Sequence, residues 1–120
     1  MEQTQEQEYV AVARAEDLAP GEMLEVDVMG EEVALFNVDG TFYAIGNICT
    51  HAYTHLTEGD FYEDMRGDWV VECSLHGSTF DVTTGEATTL PATGNAGKFD
   101  VKVEDGQVYV STRPVVRYHE

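Results

Sequence analysis

Read for alternation, the chain is a succession of short two-faced strands. Residues 8–14 (EYVAVAR) alternate and predict a first strand. Residues 15–22, with Pro20-Gly21 near their end, read as a loop containing one helical turn. In residues 23–28, Leu24, Val26 and Val28 share one face while Glu25 and Asp27 share the other, the period of two expected of a half-buried strand. Met29-Gly30-Glu31-Glu32 turns the chain, and residues 33–38 form a second strand of the same kind. Asp39-Gly40 is a hairpin signal, because both positions of a tight two-residue turn need a positive φ; residues 41–45 are the return strand.

The pattern changes at Gly46. From there to about Pro91 the chain is rich in Gly, Thr, Asp and His, with one clear strand at 68–72, a shorter one near 79–82 and a turn at Thr84-Gly85. Alternation resumes at 99–103, breaks at Asp105-Gly106 and returns at 107–111. No helix longer than a turn or two, no repeat and no low-complexity tract is read. The expectation is one all-β domain over residues 1–120, an antiparallel sandwich with scaffold segments 8–45 and 92–112. A loop-rich insert occupies about 46–91. At 120 residues the chain can bury roughly two thirds of its unfolded surface without disulfide staples.

Charge narrows the partners. Twenty-three acidic residues against six basic ones give −17, so a nucleic-acid backbone would be repelled. The acidity reads as solvation suited to a salt-rich cytoplasm, as steering toward a basic partner, or as both. No stretch approaches the roughly 20 apolar residues of a membrane helix. The polar, acidic start is the reverse of a secretory signal, so a cytoplasmic location is expected. That location argues against a disulfide between Cys49 and Cys73, the two cysteines.

Both cysteines and three of the four histidines lie in the insert. Cys49-Thr50-His51 is a C-x-H pair and Cys73-Ser74-Leu75-His76 a C-x-x-H pair, with 21 residues (52–72) between them. Each pair offers one thiolate and one imidazole from one loop, and two of each is a donor set for borderline-soft metals. Small or flexible neighbours (Thr50, Ala52, Gly77, Ser78) let backbone N–H groups turn toward anionic sulfur. Spacing alone does not separate zinc from iron and sulfide.

The stretches 48–56 (ICTHAYTHL) and 73–81 (CSLHGSTFD), with Leu90-Pro91-Ala92 further on, resemble the Rieske family. The resemblance implies one two-iron, two-sulfur cluster per chain, with Cys49 and Cys73 on one iron and His51 and His76 on the other. Neutral imidazoles in place of two thiolates leave such a cluster less negative, which raises its potential into a window of about −150 to +300 mV. High-potential members place a serine and a tyrosine hydroxyl against the cluster sulfurs. Here Ser78 occupies the serine position but Phe80 the tyrosine position, so a potential low in the window is expected, nudged upward by Ser78. Pro91 would shield the cluster.

The implied function is a one-electron carrier, not itself an enzyme: a ferredoxin passing electrons from a flavin-dependent reductase to a terminal ring-hydroxylating oxygenase. The oxygenase large subunit would need a second domain with a mononuclear iron site. The alternatives are a small Rieske-like subunit of nitrite reductase and a structural zinc module.

Other residues are set aside. His55 reads as a polar loop residue and His119 as uninvolved; Trp69 and Val71 fill the core under the second loop. A Cys73–His76 nucleophile pair lacks an orienting group. The span from His51 to Cys73 exceeds the family's usual length by a few residues, placed in 58–66, an acidic and aromatic loop read as a tolerated surface insertion rather than a partner contact.

Overall fold

The computed structural model describes residues 8–47, 55–74, 77–88 and 96–115. Among the described residues nine strands follow in chain order: β1 (Tyr9–Arg14), β2 (Met23–Val28), β3 (Glu31–Val38), β4 (Thr41–Gly46), β5 (Asp60–Glu63), β6 (Trp69–Glu72), β7 (Thr79–Asp81), β8 (Lys98–Glu104) and β9 (Gln107–Val115). Single 3₁₀ turns occur at Ala15–Asp17 and Leu56–Glu58. Six strands form one antiparallel sheet in the order β1-β9-β8-β4-β3-β2, and its outer strands β1 and β2 touch, so the sheet nearly closes into a barrel. The other three form a second sheet, β5-β6-β7, inserted in the chain between β4 and β8.

Three hairpins of the large sheet turn on two residues that both carry positive φ: Met29-Gly30, Asp39-Gly40 and Asp105-Gly106. Their mirror-image twist matches that of the flanking strands. The first turn is tighter than expected. Glu31 and Glu32 already belong to β3, because the Asp27 carboxylate accepts the Gly30 N–H at 2.8 Å and closes the chain within two residues.

β3 departs from simple alternation. Val33, Ala34, Leu35 and Phe36 are all fully buried, since the strand is a wall between two cores. Val33 and Leu35 face the barrel interior with Val26, Val28, Phe99, Val108 and Val110. Ala34 and Phe36 face outward, with Ile45 of β4, onto the small sheet, where they meet Leu56, Val71, Phe80 and Val82. Each such side chain contributes on the order of 1.5–3 kcal/mol by leaving water. Leu24, expected on the inner face with Val26 and Val28, is 36% exposed instead.

The insert is more regular than its composition suggested. Residues 60–63, read as part of a loop, form β5 and pair antiparallel with β6, Phe61 opposite Val71. The cause is apolar: Phe61 lies between Phe36, with ring centroids 4.8 Å apart, and Trp69, at 5.1 Å. As expected, Val71 is buried in that core and Trp69 packs against it.

Candidate functional site

Cys49 and His51 lie outside the described residues, as do His76 and Pro91. The residues flanking each of those segments are described, and all three sets of flanks converge on the core between the sheets. Leu56, Cys73, Phe80 and Ala96, from the three sets, are members of one buried cluster.

The first segment, 48–54, is closed at its base by Asn47, which is completely buried. Its N–H donates to the Glu32 carbonyl at 3.0 Å and its carbonyl accepts the Leu56 N–H at 2.6 Å. Its side-chain Oδ1 accepts the Thr57 N–H at 3.0 Å, and its Nδ2 donates to Thr57 Oγ1 at 3.1 Å. The second is closed by Cys73: its N–H donates to the Ser78 carbonyl at 2.7 Å, and its carbonyl accepts the Gly77 N–H at 3.0 Å. Gly77 has φ +76°, the left-handed region that glycine enters without strain.

The third segment, 89–95, leaves from Thr88. The Thr88 N–H and Oγ1 both donate to the Thr79 carbonyl, at 2.7 and 3.0 Å, and the two threonine hydroxyl oxygens lie 2.5 Å apart. It returns at Ala96, whose N–H donates to the Gly85 carbonyl at 2.7 Å.

Gly59 sets the first and second bases side by side. A Cβ there would overlap the Glu72 carbonyl and stand 3.2 Å from the Ser74 nitrogen, so only glycine allows this approach.

Cys73 is a free thiol, 1% exposed, walled by apolar side chains. A soft sulfur donor where a buried core meets short loops fits an iron–sulfur group. Ser78 and Phe80 are completely buried nearby in the chain, and Phe80 belongs to the same cluster as Cys73.

His55 is taken up by carboxylates. Its Nε2 lies 2.7 Å from Glu32 Oε1 and 3.9 Å from Glu25, and its Nδ1 lies 3.6 Å from Glu58. The hydrogen bond to Glu32 holds its pKa above the ordinary value, with Glu32, Glu25 and Glu58 adding through charge. It is a partly exposed polar residue, as its sequence context suggested.

Asn47, Gly59 and the Thr79–Thr88 pair were not singled out in the sequence, and Gly85 was read only as part of a turn. Gly59 sits in an acidic run that reads as turn, and its close approach to β6 is a property of the packed fold.

The arrangement defines an all-β protein in which the residues flanking the cysteine-bearing segments meet at one core. Residues 8–112 match the Rieske [2Fe-2S] domain family. The chain belongs to that family, and its cofactor is one two-iron, two-sulfur cluster. It is 42% identical over 94 residues to the 3-phenylpropionate/cinnamic acid dioxygenase ferredoxin subunit of Shigella flexneri, spanning 78% of this chain and 84% of that one. A structure of the oxygenase–ferredoxin complex of carbazole 1,9a-dioxygenase contains a chain 35% identical with a TM-score of 0.83, covering 93% of this chain and all of that one. A Mycobacterium tuberculosis protein described as the small subunit of an NADH-dependent nitrite reductase matches with a TM-score of 0.80 at 23% identity, over 93% of this chain and all of that one. That last likeness is one of fold alone.

Proposed function

We propose that the chain is the ferredoxin of a multicomponent ring-hydroxylating oxygenase, taking single electrons from a flavin-dependent reductase and delivering them to the terminal oxygenase in the cytoplasm. Cys49 and Cys73 hold one iron and His51 and His76 the other. When bound, the cluster supplies a one-electron couple that two thiolates and two neutral imidazoles place above that of all-thiolate clusters.

The chain's own contribution is to hold and to insulate. Asn47 fixes both ends of the segment that carries Cys49 and His51. The Cys73–Ser78 closure fixes the segment that carries His76. Phe80, Leu56, Val71 and Val82 exclude water behind Cys73 and keep the surroundings of low dielectric. Rigid supports keep the change in geometry on electron transfer small.

The single observation that carries this reading is the convergence of the three loop bases on one core beside the buried Cys73 thiol. The ferredoxin components among its relatives, one of them 42% identical over 94 residues, favour it over the nitrite-reductase alternative. The test is reconstitution. With a ferredoxin reductase, NAD(P)H and a terminal ring-hydroxylating oxygenase, adding the holoprotein is expected to switch on hydroxylation coupled to NAD(P)H oxidation. Support for nitrite reduction but not for any oxygenase would overturn the assignment.

A further inference from the structure

Apart from the Cys/His segments, three side chains from three stretches of chain bring metal-binding atoms together. Glu25 stands on β2, Glu32 on β3, and His55 just ahead of the Leu56–Glu58 turn. In the β2–β3 pairing Glu25 lies opposite Ala34 and Glu32 opposite Asp27, so the two carboxylates are diagonal neighbours on one face of the hairpin. Val26 and Val28 point the other way, into the barrel core. One ligand atom from each of the three residues, two carboxylate oxygens and an imidazole nitrogen, lies within 4.8 Å of the others.

Exposed carboxylates alone attract any cation loosely. The imidazole sets this group apart, because a nitrogen donor suits first-row transition ions such as zinc, whereas calcium and magnesium take oxygen. The ring is also held from both sides. Its Nε2 faces Glu32 at 2.7 Å and Glu25 at 3.9 Å, and its Nδ1 faces Glu58 at 3.6 Å. A carboxylate on the far ring nitrogen is what fixes the tautomer and orientation of a metal-ligating histidine. Tetrahedral zinc with N and O ligands spaces its donor atoms about 3.3–3.5 Å apart. The two distances from Nε2 bracket that spacing, and the part-exposed glutamate side chains can close on it by small rotations. Charge points the same way. Three carboxylates surround one ring, and among the described residues no lysine or arginine forms an ion pair with any of them. An imidazolium offsets one of the three negative charges; a divalent ion on the neutral ring offsets two.

We propose that Glu25, Glu32 and His55 Nε2 bind one zinc-type divalent ion, with Glu58 orienting the ring and water completing the coordination shell. The ion ties the β2–β3 hairpin to the return of the segment that contains Cys49 and His51. Glu32 serves both ends of that segment. Its carbonyl accepts the Asn47 N–H at 3.0 Å where the segment leaves, and its carboxylate meets His55 where the chain comes back. His55, read from the sequence as a polar loop residue, gains a role that its sequence context did not suggest. The proposal is independent of the electron-carrier reading.

The test is calorimetric titration of the cluster-loaded holoprotein with zinc at mildly alkaline pH, where protons compete least for the ring. One ion per chain is expected, and zinc is expected to raise the unfolding temperature, as any ligand of the folded state does. His55→Ala is expected to abolish both effects. Glu25→Gln is the sharper variant. Glu25 stands too far from His55 to hydrogen-bond, so stability without added zinc is expected to match wild type while zinc affinity falls at least about tenfold. Excess calcium is expected to leave the zinc in place. Three results would each overturn the proposal: no binding by wild type, the same affinity in wild type, His55→Ala and Glu25→Gln, or displacement by calcium, which would mark an acidic patch only. None of these bears on the carrier reading, and failure of the holoprotein to serve any oxygenase would leave the zinc titration unchanged.

Discussion

Asn47 and Thr57 hold one another twice, amide to backbone N–H at 3.0 Å and amide to hydroxyl at 3.1 Å, across the mouth of the segment that carries Cys49 and His51. A buried amide that spans a loop in this way fixes the separation of the loop's ends. Asn47→Leu keeps the volume but leaves the Thr57 N–H and hydroxyl without that partner. Leaving such groups unpaired costs on the order of 1–3 kcal/mol. Urea unfolding of the variant is expected to show a loss in that range together with reduced iron retention. Full stability and full iron content would show that the pair is not what closes the loop.

Gly59 and Glu72 bring the first and second bases together. Gly59→Ala places a methyl group onto the Glu72 carbonyl, and the obstacle is backbone rather than a movable side chain. Forced overpacking of this kind costs typically about 1–3 kcal/mol. The checks are thermal unfolding and cluster occupancy, both expected to fall. An unperturbed variant would mean that the contact between Gly59 and β6 is looser than found.

The His55 cluster predicts a pH signature. Glu32, aided by the charges of Glu25 and Glu58, raises the folded-state pKa above the ordinary 6.5. A group raised on folding stabilises fully below its unfolded pKa and loses that contribution as pH climbs through the folded pKa. The difference in melting temperature between wild type and His55→Gln is therefore expected to be largest below about pH 6.5 and to shrink above it. An NMR titration of the His55 ring gives the shifted midpoint directly; a midpoint at or below 6.5 would contradict the geometry.

Ser78 and Phe80 test the tuning of the couple. One neutral hydrogen bond is worth about 0.5–1.5 kcal/mol, which in a one-electron couple is roughly 20–65 mV. Ser78→Ala is expected to lower the potential by an amount in that range, and Phe80→Tyr, which adds a hydroxyl in a completely buried position, to raise it. If Phe80→Tyr lowers stability without moving the potential, the new hydroxyl faces away from the cluster. Histidine-to-cysteine changes at His51 or His76 are expected to lower the potential more, because an anionic ligand replaces a neutral one.

Much of this was legible in the sequence because it is local. The alternating strands of the large sheet and the Asp39-Gly40 and Asp105-Gly106 turns follow from period and turn chemistry, and Ala15–Asp17 forms the single helical turn expected. The two Cys/His pairs pointed to the family because their spacing is itself local. What stayed hidden is set by tertiary contact. β5 has no alternation strong enough to announce it, and becomes a strand because Phe61 fits between Phe36 and Trp69. β3 loses its two-faced character because a second core covers its outer side, while Leu24 on β2 is left at the margin of both. Asn47 looked like an ordinary loop residue, since its partners lie ten positions away.

The proposed function requires two sulfur and two nitrogen donors, Cys49, Cys73, His51 and His76, to converge on a pair of irons. The most direct measurement is metal and acid-labile sulfide analysis of protein purified without air, read together with its EPR spectrum after reduction. The expected result is a red-brown protein with about two irons and two sulfides per chain and a rhombic signal whose average g lies below the free-electron value. A colourless protein carrying zinc and no labile sulfide would contradict it.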